Sequence, residues 1–398
     1  MTRAPVESSV VIVGAGPAGL AVAACLQAAR VPHVIVEQAG EVGTAWRHHY
    51  HRLHLHTDKA HSGLPYRDFP KSYPRYPSRQ QVVDYLDDYA QHFQIKPFLN
   101  QTVKKARHVG SQWEVQSQDT LYRAPTMVVA AGYNREPQRP SWPGQDAYGG
   151  QILHSAQYAN GAPFKGQRVL VVGLGNSGGE IALDLWEHGV QPSVAVRSPV
   201  NVIPREFFGV PFLTMAIQQR RWPPRLADAI NAPVTRALIG DLTRYGLRKP
   251  AQGPVTQIHS TGRIPFIDVG TIGLIKQGHL QVRPGIERFT RDGVVFTDGR
   301  EERFDAVVLA TGYRPNVGAW LEDGGQALGT NGAPLGSGQS TSLPGLYFCG
   351  YYISPTGMLR EIAQEARQLA QLISERQRAA VQAGRLCRCP TGRLAGRP

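Results

Sequence analysis

A strand, a glycine-rich turn and a helix follow one another twice in this chain, and few folds accommodate either copy. Val10 to Val13 is a short apolar run that stops at Gly14-Ala15-Gly16-Pro17-Ala18-Gly19, and the Ala-rich segment Leu20 to Ala29 that follows reads as a helix. A β-branched run, Val34-Ile35-Val36, then ends in Glu37 and completes a βαβ unit. The second copy has a strand at Arg168 to Val172, a turn at Gly173-Leu174-Gly175-Asn176-Ser177-Gly178, a helix at Glu180 to His188 and a further strand at Ser193 to Val196. In such a turn the first glycine reverses the chain, the second admits a pyrophosphate to the backbone and the third lets helix pack on strand. The helix N-terminus adds N–H groups and the positive end of its dipole. The expected fold class is α/β, with two Rossmann-like dinucleotide-binding domains.

The residue ending the second strand separates the two ligands. Glu37 can accept hydrogen bonds from both ribose hydroxyls, as the adenosine half of FAD requires. Arg197 stands at nearly the same offset in the second unit, where with Ser198 it offers a charge-assisted contact to a 2′-phosphate. The cofactors expected are FAD in the first site and NADPH in the second. His48, His49, His51, His54, His56 and His61 cluster in sequence, but no flanking set completes a ligand group at metal spacing, so no metal is expected.

Two segments echo each other, Met127 to Tyr133 and Ala306 to Tyr313, each a buried strand broken by glycine. Their positions flank the second unit, which predicts an NADPH domain (151–305) inserted into a discontinuous FAD domain (1–150 plus 306–375). Trp113-Glu114-Val115 and Leu121-Tyr122 read as a hairpin or meander attached to the first domain. Residues 206–250 carry Phe207, Phe208, Phe212, Met215, Ile217, Trp222 and Leu226 in a Pro/Arg-rich stretch, either helices over a pocket or an insertion packed on its own domain.

The chain of 398 residues carries a formal charge of +13, but without the Lys/Arg stripe and interleaved aromatics of a nucleic-acid surface. Beyond Glu375 six arginines face no acid, which predicts a basic, disordered tail over 376–398. No apolar run approaches the length of a membrane span and no signal-peptide core precedes the first strand, so a cytoplasmic protein without membrane partners is expected. Cys25, Cys349, Cys387 and Cys389 form no CxxC pair, which disfavours a dithiol reductase. The oligomeric state is not legible.

With these residues in place, the chain resembles a flavin-containing monooxygenase of class B, and most of all the plant YUCCA type that oxidises indole-3-pyruvate. The resemblance runs through Trp46, Arg52 to Lys59, Pro74-Arg75-Tyr76-Pro77-Ser78, Gly173 to Glu180, Gly262 to Pro265 and Ala310-Thr311-Gly312-Tyr313. The pattern F-x-G-x-x-x-H-x-x-x-Y/F appears as Tyr148, Gly150, His154 and Tyr158, with Tyr in place of Phe at its first position. His154 is expected to order the crossing between domains.

The resemblance places FAD against Gly14, Gly16, Pro17, Ala18, Gly19, Glu37, Gln38, Ala45, Trp46, Leu53 and His54, with Val103 near the adenine, and Cys349, Gly350 and a helix from Met358 closing the pocket. It places NADPH against Ser177, Gly178, Gly179, Glu180, Arg197 and Ser198. His56 stands where animal and several bacterial members have asparagine, near the nicotinamide end. It either tunes a flavin peroxide or is a packing residue. The implied reaction uses a flavin C4a-(hydro)peroxide and dioxygen on a small organic substrate, a carbonyl compound such as a 2-oxo acid. The rivals are N- or S-oxygenation within the same family and, from another class, a flavoprotein reductase serving a quinone or protein partner.

Overall fold

In the computed structural model, which describes residues 4–382 and 384, each glycine turn leaves the C-terminal end of an interior strand in its own parallel sheet. The first sheet runs Leu346–Phe348, Met127–Val129, Val10–Val13, His33–Val36. The second runs Gln281–Arg283, Gln191–Ala195, Arg168–Val172, Ala306–Leu309, Gln151–His154. Val10–Val13 is buried throughout and Arg168–Val172 from its second residue on. Strands covered on both faces have no polar side to alternate with, which is why both read as continuous apolar runs.

The echo between Met127–Tyr133 and Ala306–Tyr313 has another origin than a pair of crossings. Ala306–Leu309 pairs with Arg168–Val172 and Gln151–His154, so it lies in the second sheet, and Leu346–Phe348 is the strand that returns to the first. The two segments are alike because each lies beside its unit's turn-bearing strand: a Cβ on Gly14 would stand 2.5 Å from the Ala130 carbonyl oxygen, and one on Gly173 would stand 2.7 Å from that of Ala310. The boundary expected at 306 therefore moves past Leu309. Each of these strands also follows an antiparallel meander, Lys105–Val109, Gln112–Gln116 and Leu121–Ala124 in one unit and Ile286–Phe289, Gly293–Phe296 and Glu301–Arg303 in the other.

The chain passes between units at two places that lie side by side, since Glu136–Pro137 pairs antiparallel with Tyr313–Arg314. His154 is fully buried there, its Nε2 3.2 Å from the Gly312 carbonyl oxygen, while the Ala156 amide donates to its Nδ1. Burial pushes its pKa down, and a neutral ring suits these contacts. Tyr148 donates to the Phe304 carbonyl at 2.7 Å, and Gly150 has no room for a side chain against the Tyr148 ring. Tyr158 donates to Asp184 at 2.6 Å, and that buried carboxylate also takes the Gly161 amide at 2.8 Å. Tyr158→Phe should destabilise the protein by about 1–3 kcal/mol, because Asp184 then stays buried with one donor fewer; urea unfolding of the variant checks it.

The closing helix, Met358–Gln382, lays Leu359, Ile362, Ala366, Leu369 and Ile373 against the first turn's helix, Pro17–Ala28. It runs seven residues past the tail boundary expected at 376, because Glu375 to Gln382 is rich in good helix formers. Of the rest of that expected tail, residues 383 and 385–398 lie outside the described residues. The stretch 206–250 forms a short hairpin, Glu206–Phe207 with Val210–Pro211, and the helices Phe212–Gln218 and Pro224–Ile239. Phe207, Phe212 and Ala216 pack with Ile203, whereas Trp222 and Leu226 are exposed.

Candidate active site

The two turns match in detail. Gly14 has φ +107° and Gly173 φ +103°, left-handed values that glycine tolerates and other residues rarely adopt. A Cβ on Gly19 would fall 1.9 Å from the Gly14 carbonyl oxygen, and one on Gly178 would fall 2.0 Å from that of Gly173, so these two pack helix on strand. The middle glycines differ from both. A Cβ on Gly16 or Gly175 would meet nothing within 4 Å, and each is the N-cap of its helix with no side chain capping it. Among the described residues nothing requires glycine there. A pyrophosphate resting on the uncapped amides would.

The first turn floors a cleft of about 720 Å³. Gly14, Gly16, Pro17, Ala18, Glu37 and Gln38 line it, joined by Ala45, Trp46, Leu53, His54, Val103 and Gly350. Gly19 lies behind the turn. The Glu37 carboxylate, 8% exposed, is fixed by the amides of Ala15 at 2.7 Å and Ala39 at 2.9 Å, one on each oxygen. Each oxygen keeps a lone pair for a ribose hydroxyl. Gly350 is held from behind: its amide donates to buried Glu365 at 2.6 Å, a carboxyl that burial pushes above its usual range. The donor set and the open cradle fit a flavin dinucleotide.

The second turn contributes Asn176 to this cleft, which was not among the expected ligands; none of the six residues expected to meet NADPH lines it. Ser177 is partly exposed beside the turn, and Gly178 is buried. Gly179 serves packing, since a Cβ would stand 2.3 Å from the Phe266 ring. Arg197 is exposed and Ser198 half-buried just past the strand Gln191–Ala195. A second arginine that the sequence did not single out, Arg248, donates to the Arg197 carbonyl, and among the described residues neither arginine has a carboxylate in ion-pair range.

Glu180 is turned inward. It is 2% exposed and accepts from Nε2 of His56, which lines the cleft from the first unit. The carboxylate sits at the centre of a small polar group: burial pushes His49 down against the pull of Glu180, and burial together with Glu180 pushes the Tyr50 phenol up. Glu180 is thus a partner of His56 across the two units. Its helix position explains why. Glu180 and Asp184 are four apart on one face, and each finds a donor from outside the helix, His56 and Tyr158.

The far end of the cleft is apolar and comes from the second unit: Ile203, Phe212, Leu213, Ile258, Ile264 and Ile267. Ser354, Gly357 and Met358 face them from the first.

A family model described as pyridine nucleotide-disulphide oxidoreductase matches residues 11–204. Indole-3-pyruvate monooxygenase YUCCA8 from Oryza sativa subsp. indica is 41% identical over 380 residues, covering 91% of this chain and 90% of the relative. The chain belongs to the YUCCA family of flavin monooxygenases. YUCCA6 from Arabidopsis thaliana is 42% identical over 344 residues, 84% of this YUCCA-family chain and 82% of its own. A solved flavin-containing monooxygenase from Stenotrophomonas maltophilia shares the fold, with a TM-score of 0.70 at 23% identity over 94% of this chain and 99% of that one. Cys25 and Cys349 are buried and free, so neither forms the redox disulphide that the family model's description names. Among the described residues no group of three or more His, Cys, Asp or Glu is placed to hold a metal ion, and no helix is long and apolar enough to cross a membrane. The enzyme is a flavin-dependent monooxygenase.

The sequence missed Arg205, one residue before the aromatic, Pro/Arg-rich stretch 206–250, and Arg135, two residues after the conspicuous Gly132-Tyr133. Neither sits in a motif. Only the fold brings them to the cleft.

Proposed function

We propose that this YUCCA-family enzyme binds FAD at the first turn and NADPH at the second, and uses dioxygen to decarboxylate a 2-oxo acid oxidatively. The observation that carries the cofactor reading is the pair of turns with open cradles at Gly16 and Gly175, followed by opposite strand-end residues, Glu37 and Arg197. A carboxylate at the second position would repel a 2′-phosphate, whereas Arg197 attracts it, and Arg248 adds to the field. The carbonyl reading rests on the family, whose relatives are named for indole-3-pyruvate, and on an apolar cleft end able to take an aryl or alkyl group.

Bound FAD supplies the hydride acceptor and the reaction with dioxygen. The chain's own residues do the rest. Gly16 and the amides after it seat one pyrophosphate, and Glu37 takes the ribose. His56 gives its Nε2 proton to Glu180 as a hydrogen bond, which fixes the ring and leaves Nδ1 as the nitrogen facing away from that carboxylate. The isoleucine and phenylalanine wall excludes water from the reacting end. In balance, a 2-oxo acid, dioxygen, NADPH and a proton give the carboxylic acid one carbon shorter, carbon dioxide, NADP⁺ and water.

Two measurements test this reading. Arg197→Ala should raise KM for NADPH about 10- to 100-fold while changing KM for NADH less than threefold; equal losses remove the basis for NADPH selectivity. Wild-type enzyme given 2-oxo acids should release carbon dioxide in step with NADPH oxidation. N-oxide or sulfoxide as its only product would reassign the enzyme to heteroatom oxygenation.

A further inference from the structure

Two cations line the cleft, and they stand in different company. Arg135 lies over the Trp320 ring, 5.7 Å from its centroid, and Trp320 packs with Val36 and Val103 at the expected adenine end. Arg205 leads from the strand Val202–Pro204 toward the helix Phe212–Gln218, whose first amide donates to the Arg205 carbonyl. Its neighbours along the cleft are Ile203, Phe212 and Leu213. We infer that Arg205, seated on the ring of Tyr76, receives the carboxylate of the substrate.

Three observations carry this. First, Arg205 is half-buried, its guanidinium carbon 4.1 Å from the centroid of the Tyr76 ring, and among the described residues the guanidinium has no hydrogen-bond or ion-pair partner. Second, the acid next to it in sequence is engaged elsewhere: Arg75 takes Glu206 at 3.1 Å and the Gly209 carbonyl at 2.8 Å. Glu206 still feels the Arg205 charge, which helps to hold its carboxyl below the usual range, but no hydrogen bond ties it to the Arg205 guanidinium, whose N–H groups stay available to a ligand. Third, the second unit's side of that end is largely aliphatic and aromatic, from Ile203, Phe212, Leu213, Ile258, Ile264 and Ile267, which lowers the local dielectric and strengthens attraction for an anion. A planar guanidinium meets a carboxylate through two parallel N–H bonds, and a ring beneath it fixes the plane. The same charge repels an alkylammonium ion, so it disfavours amine substrates at neutral pH.

Tyr76 belongs to the first unit and Arg205 to the second, so the anion site is complete only when the two are docked. Arg205 also lies near the second turn, because Val202–Pro204 pairs with Phe266–Asp268 and the Ile267 amide donates to Asn176. A nucleotide phosphate is thus the competing occupant that the experiment must separate.

The inference rests on the 2-oxo acid reading above. The probes are phenylpyruvate and a neutral aryl ketone of similar size, given to holoenzyme carrying Arg205→Ala, Arg205→Lys, Tyr76→Leu or Tyr76→Phe. Arg205→Ala should raise KM for phenylpyruvate about 10- to 100-fold, with the neutral ketone, the NADPH KM, the flavin content and the melting temperature moving little. Arg205→Lys should recover part of the loss, and Tyr76→Leu should cost about three- to tenfold where Tyr76→Phe costs almost nothing. An unchanged phenylpyruvate KM in Arg205→Ala, or an equal rise for the ketone, overturns the inference. A rise confined to NADPH reassigns Arg205 to the nucleotide and overturns it as well. If wild-type enzyme turns over no 2-oxo acid, the functional reading falls first and Arg205 with it, a result distinct from any of the variant outcomes.

Discussion

Gly16→Val should yield a folded, colourless protein. The main chain accepts the change: Gly16 has φ −77° and ψ −172°, an extended conformation open to any residue and suited to the one preceding Pro17. Space is open too, since a Cβ there meets nothing within 4 Å. The expected cost in the flavin-free protein is about 1 kcal/mol, the scale of exchanging a tolerated N-cap for a poor one. The pyrophosphate has no such tolerance, because the added methyls occupy the space through which it reaches the helix amides. The flavin-to-protein ratio should fall at least about tenfold, while the melting temperature stays close to that of wild-type protein stripped of flavin. Gly14→Val is the contrasting change, placing a side chain 2.5 Å from the Ala130 carbonyl oxygen at φ +107°, and should fail to fold. A Gly16→Val protein purified fully yellow would refute the placement of FAD on the first turn.

Glu180→Gln should cost turnover without costing nucleotide binding. The amide keeps the volume of a side chain that is 2% exposed, so the helix Asn176–Glu187 remains packed. What changes is the partner of His56: an amide can turn its NH2 toward Nε2, reversing the hydrogen bond and exchanging the tautomer of the ring. If His56 moves a proton at the flavin, kcat should drop about 100-fold and the pH profile should change shape, the scale on which a positioned acid or base acts. The NADP⁺ dissociation constant, measured by titration, should stay within about twofold. A large rise in that constant with an unaltered pH profile would place Glu180 among the nucleotide ligands and leave His56 as packing.

The legible part of the protein was what the backbone itself demands. Glycines at 14, 19, 173 and 178 are required by main-chain contacts within the fold, so their spacing carries the strand-turn-helix units wherever they occur. Glu37 was legible for the same reason, because the end of the second strand is a fixed place relative to the turn. The inserted boundary was misplaced because Ala130 and Ala310 answer to equivalent glycines, and a repeated local requirement looks like a repeated crossing. The pairing of Glu180 with His56 was not legible because neighbours on a helix point in different directions: two residues past Gly178 the side chain has swung to the buried face. An acid inside Gly-Glu-Ile-Ala-Leu-Asp-Leu was the available signal, since buried carboxylates need donors and His56 was within the same candidate set. Arg205 gave no such signal. Its meaning depends on the ring beneath it and the walls around it, which come from segments far apart in the chain.

The side-by-side pairing of Glu136–Pro137 with Tyr313–Arg314 means that everything between them leaves and rejoins the first unit at one point. A segment whose ends meet can be lifted out as a block, leaving a gap that a short linker spans. Recombination could therefore have traded the second unit whole between ancestors, and an engineer could graft one with another coenzyme preference without opening the first sheet. His154 and Gly312 form the seam such a graft would have to reproduce.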